Sequence, residues 1–230
     1  MLKIEKTVTP SPEQWEIVIE GMRNPMNSWD KMDTCWTDNP GLLIGDAISY
    51  DGEGWWVLGK NDHNLMMRLN EGGSVHAKYR RMLPVWVTLT APLYFFKEMD
   101  TYRIGVVCNS CSTMHKIHSR ELTMDDFSCE HLYPENMIIL QQTIDAINHA
   151  MNVYMNGGKP DYGSAKVDWW QLIQLLPSSY NQKRTYMFNY EVLAGMYRDR
   201  KHHKLDEWHV FCEWIESLPY SELITGREME

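Results

Sequence analysis

Residues 2–8, Leu-Lys-Ile-Glu-Lys-Thr-Val, alternate apolar and polar side chains, the period-two pattern of a half-buried strand. Ser11-Pro12-Glu13-Gln14 follows as a helix start, with Ser11 as N-cap and Pro12 in the first turn. Residues 24–60 are dense in Asn, Asp, Gly and Pro and predict loops, interrupted by short pieces such as Gly54-Trp55-Trp56-Val57-Leu58. A helix is predicted from about Asp62 to Gly72-Gly73. The β-branched alternation of Val85–Thr90 predicts a strand. The next segment, 91–103, is apolar nearly all round and predicts a buried helix with Pro92 in its first turn.

Past Pro134 the pattern is the clearest of the chain. Met137, Leu140, Ile144, Ile147, Met151 and Tyr154 recur at steps of three and four until Gly157-Gly158 ends the run. Two further helices are predicted, about 185–200 and 205–217, the second with Trp208, Phe211, Cys212 and Ile215 on one stripe. The elements add up to a single α+β domain over residues 1–230, mostly helical with a small mixed or antiparallel sheet.

Composition changes the picture in two places. Lys plus Arg number 22 against 31 Asp plus Glu, a net charge of −9, which lacks the broad basic face that binding a nucleic-acid polymer requires. Ten Trp and twelve Tyr against five Phe favour side chains with an apolar body and a polar tip, suited to a large core or to ligand and subunit contacts. The longest uncharged stretch, 82–96, is shorter than the ~20 residues of a membrane span and contains Pro84 and Pro92. With no secretory signal pattern at the N-terminus and five scattered cysteines, a cytoplasmic protein without disulfides is expected.

Several clusters carry possible chemistry. Cys108-x-x-Cys111-x-x-x-His115-x-x-His118 has the ligand types of a zinc site, but four ligands within eleven residues are much tighter than finger spacing, so buried thiols and polar histidines are the plainer reading and no metal is assigned. Lys97, Glu98 and Asp100 suit either acid–base work or ion pairing. Asn189, Leu193, Met196 and Arg200 share one helical stripe, and an arginine on an apolar stripe calls for a partner or a ligand. Arg198, Lys201, His202 and His203 make its surroundings basic, either as a solvated helix end or as an anion site.

Two segments resemble the flavin-dependent thymidylate synthases. The stretch from Pro92 through Tyr102-Arg103 to Asn109-Ser110-Cys111-Ser112 is similar to that family's Pro-hydrophobic helix and its following Arg-His-Arg-x-x-Ser-x-Asn-Glu-x-Ser-x-Arg-Tyr motif, with Arg103, Asn109 and Ser112 matching after one inserted residue. Gly73-Ser74-Val75-His76 resembles the family's Gly-His segment ahead of a strand. Leu176-Pro177, Asn189 and Arg200 reproduce its Leu-Pro, Asn and Leu-Arg spacing without a gap. The resemblance runs in order over 61–217.

It implies an oligomeric α/β fold, a homotetramer, with FAD as cofactor and NADPH and methylenetetrahydrofolate as co-substrates. The implied reaction methylates deoxyuridine monophosphate (dUMP) to thymidylate. Carried over residue by residue, Arg200 would be catalytic by polarising the pyrimidine. His76, Arg103, Asn109 and Asn189 would hold the flavin, and Ser112, Arg198 and Arg200 the nucleotide. Thr101, Tyr102, Ser110, Met114 and Ile173 depart from the family's Arg, His, Glu, Arg and Arg. Those departures keep two alternatives open: a repurposed nucleotide- or flavin-binding protein without catalysis, and another pyrimidine one-carbon modification.

Overall fold

A computed structural model describes residues 1–38, 54–158 and 165–226, and the backbone of 48–50. Seven strands and nine α-helices lie among them: β1 (Lys3–Val8), α1 (Pro12–Arg23), β2 (Cys35–Thr37), β3 (Ile48–Tyr50), β4 (Gly54–Val57), α2 (Lys60–Glu71), β5 (Pro84–Pro92), α3 (Leu93–Met99), β6 (Val107–Ser110), α4 (Thr113–Lys116), α5 (Pro134–Met155), α6 (Ala165–Leu175), β7 (Asn181–Asn189), α7 (Tyr190–Arg200), α8 (Asp206–Glu216) and α9 (Glu222–Thr225). One sheet has the order β1-β5-β7-β6, and a small antiparallel one has the order β2-β4-β3. The fold class is therefore the expected mixture of helices with a small sheet. Part of the loop-rich segment, residues 39–47 and 51–53, lies outside the described residues. Among the described residues no helix is long and apolar enough to cross a membrane.

The chain divides into two compact units. The first comprises Met1–Glu5, Thr88–Thr101 and Cys108–Thr185. Its core is laid down by the long helix: Leu140, Ile144, Ile147 and Met151 are buried as their spacing predicts, against Phe127 and Leu172. Helix α3 is shorter than the predicted 91–103 and buries one face, Phe95, Phe96 and Met99, rather than its whole circumference. It ends because the Thr101 hydroxyl and amide both bond the carbonyl of Glu98, at 2.7 and 3.1 Å. Asp100 beyond it pairs with Arg184 at 2.8 Å, whose guanidinium lies 4.1 Å from the Phe96 ring centre, so this carboxylate is an ion-pair residue.

The second unit comprises Lys6–Val87, Tyr102–Val107 and Tyr186–Glu230. Trp15, fully buried, packs on Trp56, Tyr190 and Tyr220 with ring centres 5.4–5.7 Å apart. Tyr220 holds a left-handed backbone (φ 52°) that a tyrosine rarely adopts. Its hydroxyl accepts from the amide of Leu58 at 2.9 Å. The expected helix at 185–200 is a strand up to Asn189 and a helix only from Tyr190. Tyr186 and Phe188 bury on one side of that strand in the two-residue period.

Helix α2 begins two residues before the predicted Asp62 because its cap comes from a distant segment. The Asp33 carboxylate accepts from the amides of Asn61 and Asp62 at 2.8 and 3.1 Å. In return Asp62 accepts from the amides of Asp33 and Thr34, both at 3.0 Å, and from the Thr34 hydroxyl at 2.7 Å. A Cβ at Gly59 would stand 2.2 Å from Asp33 Oδ1, so only glycine lets the two backbones approach. Arg23 completes the group: its Nε and Nη2 both lie 2.6 Å from Asp62 Oδ1, with Arg23 and Asp62 buried.

Two consequences are measurable. Arg23→Ala leaves Asp62 buried without its cation and is expected to lower unfolding free energy by about 3–5 kcal/mol, read by urea denaturation; a change under about 1 kcal/mol would show that the pair behaves as a surface one. Cys35, Cys108 and Cys111 are exposed, while Cys212 is buried and burial pushes its thiol up to about 11. At pH 8 a disulfide reagent is therefore expected to label those three readily and Cys212 only after unfolding, because the thiolate is the reacting form. Peptide mass spectrometry reads the order, and early labelling of Cys212 would contradict its burial.

Candidate functional site

The stripe that carries Arg200 is built where β7 turns into α7. Asn189 holds an extended backbone and its Oδ1 accepts from the amide of Val192 at 3.0 Å, an N-cap in the ordinary sense. The amide of Tyr190 donates to the carbonyl of Leu83 at 3.1 Å, which anchors the same turn. Leu193 and Met196 are fully buried, and Arg200 is the stripe's last, half-buried position.

Two aromatic rings meet the guanidinium. Arg200 Nε donates to the Tyr102 hydroxyl at 2.9 Å. Its central carbon lies 5.5 Å from the Tyr102 ring centre and 4.9 Å from that of fully buried Trp208. The two rings meet edge to face at 6.2 Å, and His203 approaches Trp208 at 6.3 Å. Cation–π contacts of this kind hold an arginine in place while leaving its charge intact. Burial raises the Tyr102 hydroxyl's pKa, Arg200 offsets part of that, and the negative charge of Asp199 raises it further. The hydroxyl thus stays protonated at neutral pH.

The segment that brings in Tyr102 is held along α7. Gly105 adopts φ +74°, and a Cβ there would stand 3.0 Å from Asn189 Nδ2 and 3.1 Å from a Val192 methyl. The turn therefore rests on the helix start at Gly105 and on Arg200 at Tyr102, with Arg103 and Ile104 exposed between them. Of the expected site residues in this unit, the structure gathers Asn189 and Arg200 with the segment that carries Arg103. Arg198 is exposed and pairs with Asp199 at 3.1 Å. His76 is exposed in a separate turn, its amide bonded to the carbonyl of Gly73 at 2.9 Å and its ring against Gly72.

In the first unit Asn109 is exposed on β6, and the Ser112 hydroxyl caps α4 by accepting from the amide of His115 at 3.1 Å. Two of the departing positions serve local structure: Thr101 closes α3, and Ile173 packs on the core cluster. Met114, His115, His118, Tyr154, Lys166 and Trp169 line a cleft of about 470 Å³. Trp169 Nε1 donates to the Met114 carbonyl at 3.2 Å, the His118 ring meets Tyr154 edge on at 5.3 Å, and His118 Nδ1 is buried without a hydrogen-bond partner among the described residues. Sequence reasoning missed this cleft because α6, which supplies Lys166 and Trp169, carries no clear apolar period and was not anticipated. Among the described residues no three His, Cys, Asp or Glu side chains come together to hold a metal ion.

No protein-family model and no curated protein sequence matches the chain. Solved structures do. Thymidylate Synthase X (ThyX) from Helicobacter pylori with FAD and dUMP superposes with a TM-score of 0.60 at 14% identity, covering 98% of this chain and 97% of that one. A second structure of flavin-dependent thymidylate synthase ThyX from Helicobacter pylori, also complexed with FAD and dUMP, gives 0.57 at 13% identity, covering 98% of each chain. The UMP/dUMP methylase PolB from Streptomyces cacaoi, bound with 5-Br dUMP, gives 0.54 at 13%, covering 98% of this chain and 94% of that one. Identities this low speak for architecture alone: over nearly its whole length the chain has the fold of the flavin-dependent thymidylate synthases.

Proposed function

We propose that this protein is a FAD-dependent enzyme that modifies the pyrimidine ring of dUMP, methylating it to thymidylate with methylenetetrahydrofolate as one-carbon donor and NADPH as reductant. The observation that carries the reading is Arg200, set by α7 at the end of an apolar stripe and held between two aromatic rings. A fixed cation beside a uracil carbonyl stabilises negative charge that develops on the ring, and no protein nucleophile is needed. Asn189 steadies the start of the same helix and positions the ring, while Ser112 and Arg198 serve the rest of the nucleotide.

The donor set suits a flavin. Arg103 and His76 are exposed cation-capable donors, Asn109 is an exposed carboxamide, and Asn189 commits its oxygen to the helix cap, which leaves its amide nitrogen as a donor. Bound FAD would supply hydride transfer. The proposed enzyme acts in the cytoplasm as a homotetramer.

A second reading keeps the fold and the nucleotide but not the catalysis. It is favoured by one observation: Thr101 and Ile173 stand at positions of the resembling motif's arginines and are spent on closing α3 and filling the core.

Purified protein is expected to retain flavin absorption bands through gel filtration after FAD is added, and to release tritium from [5-³H]dUMP in the presence of NADPH and methylenetetrahydrofolate. Arg200→Ala is expected to weaken dUMP binding by about tenfold or more, the scale of a lost charge-assisted hydrogen bond, measured by calorimetry. Binding of dUMP without flavin or turnover would favour the second reading. Unchanged dUMP affinity in Arg200→Ala would remove the site assignment from both.

A further inference from the structure

Arginine side chains are long and rotamer-rich, so a guanidinium at the end of a helix does not by itself present a defined plane. Three of the contacts of Arg200 restrict it. Trp208, fully buried on α8, stands 4.9 Å from the guanidinium carbon and blocks one direction. The Tyr102 ring limits a second at 5.5 Å. The Tyr102 hydroxyl then fixes rotation by accepting from Nε at 2.9 Å. A hydroxyl oxygen has lone pairs to accept this bond while its proton points elsewhere. Tyr102 is itself brought to α7 by a turn that comes close to it at Gly105, where φ is +74° and a Cβ would stand 3.0 Å from Asn189 Nδ2.

We infer that Tyr102 is a positioning residue: its hydroxyl sets the pose in which Arg200 meets the pyrimidine, with Trp208 as the fixed wall. The residue acts through Arg200 and does not touch the nucleotide. This deepens the reading of Arg200 as the pyrimidine-polarising group and rests on it. The histidine that the resembling motif carries at this position is replaced here by a neutral donor–acceptor, which the raised pKa keeps protonated across the neutral range.

The test separates the anchor from the ligand. In protein labelled with ¹⁵N-arginine, the Arg200 Nε–H resonance, assigned by its loss in Arg200→Lys, reports the bond to Tyr102 whether or not nucleotide is present. Tyr102→Phe keeps the ring and removes the acceptor. It is expected to shift that resonance and speed its exchange with water, to weaken dUMP binding about tenfold, and to leave the thermal midpoint within about 2 °C. Tyr102→Gln, which restores an acceptor, is expected to recover part of the affinity; should Tyr102→Phe not fold, Tyr102→Leu, which also lacks an acceptor, serves in its place.

An unmoved Nε resonance in Tyr102→Phe overturns the anchor. A moved resonance with unchanged dUMP affinity overturns the positioning role, and so does an affinity loss that merely follows a drop of the midpoint. Wild-type protein that shows the tethered resonance yet binds no dUMP overturns instead the underlying reading of Arg200 as a pyrimidine-binding group.

Discussion

One residue, Asn189, sets the strand-to-helix junction from which Arg200 is placed. Strand β7 ends and α7 begins there without an intervening loop, and such a junction would leave the first helical amides without partners. The Asn189 side chain accepts one of them, and the carbonyl of Leu83 accepts the amide of Tyr190. The helix axis is thereby set relative to the strand end, and with it the burial of Leu193 and Met196. Arg200 falls where it does because it is one helical turn beyond Met196 on that stripe. Loss of such a cap costs about 1 kcal/mol in ordinary helices, but here the larger effect is on where the arginine is delivered.

A second constraint works by exchange. Asp33 caps α2 while Asp62, on α2, receives the amides of Asp33 and Thr34. Each carboxylate satisfies backbone donors of the segment that carries the other, so neither segment can shift alone. Burying the Asp62 carboxylate is costly, and Arg23 keeps the cost tolerable by meeting it at 2.6 Å. The first unit is simpler: its long helix buries a continuous apolar stripe, and its stability rests on packing.

How far the site could be read from the chain depends on where its partners lie in sequence. The stripe from Asn189 to Arg200 was legible because helical spacing is local, and an arginine at its end announces a partner. Its partners were not. Tyr102 lies 98 residues away and showed only as a departure from a motif, and Trp208 read as a core residue of its own helix. The cleft beside His118 was hidden for the same reason, since it needs α6 placed against the segment around Met114.

The sequence by itself determined the elements whose signals are local. These are the capped start of α1, the alternation of β5, the stripe of α5 and the buried face of α8, whereas β1 forms as a strand but is exposed from Glu5 to Val8. It also supported the resemblance that the fold comparison then matched at the level of architecture. Only the tertiary structure decided that 185–189 is strand rather than helix, because its hydrogen bonds go to neighbouring strands and outweigh local propensity. Only it decided the start of α2, whose cap is a side chain from Asp33, and the housing of Arg200. Burial and long-range hydrogen bonds act between residues distant in the chain, and no periodicity records them.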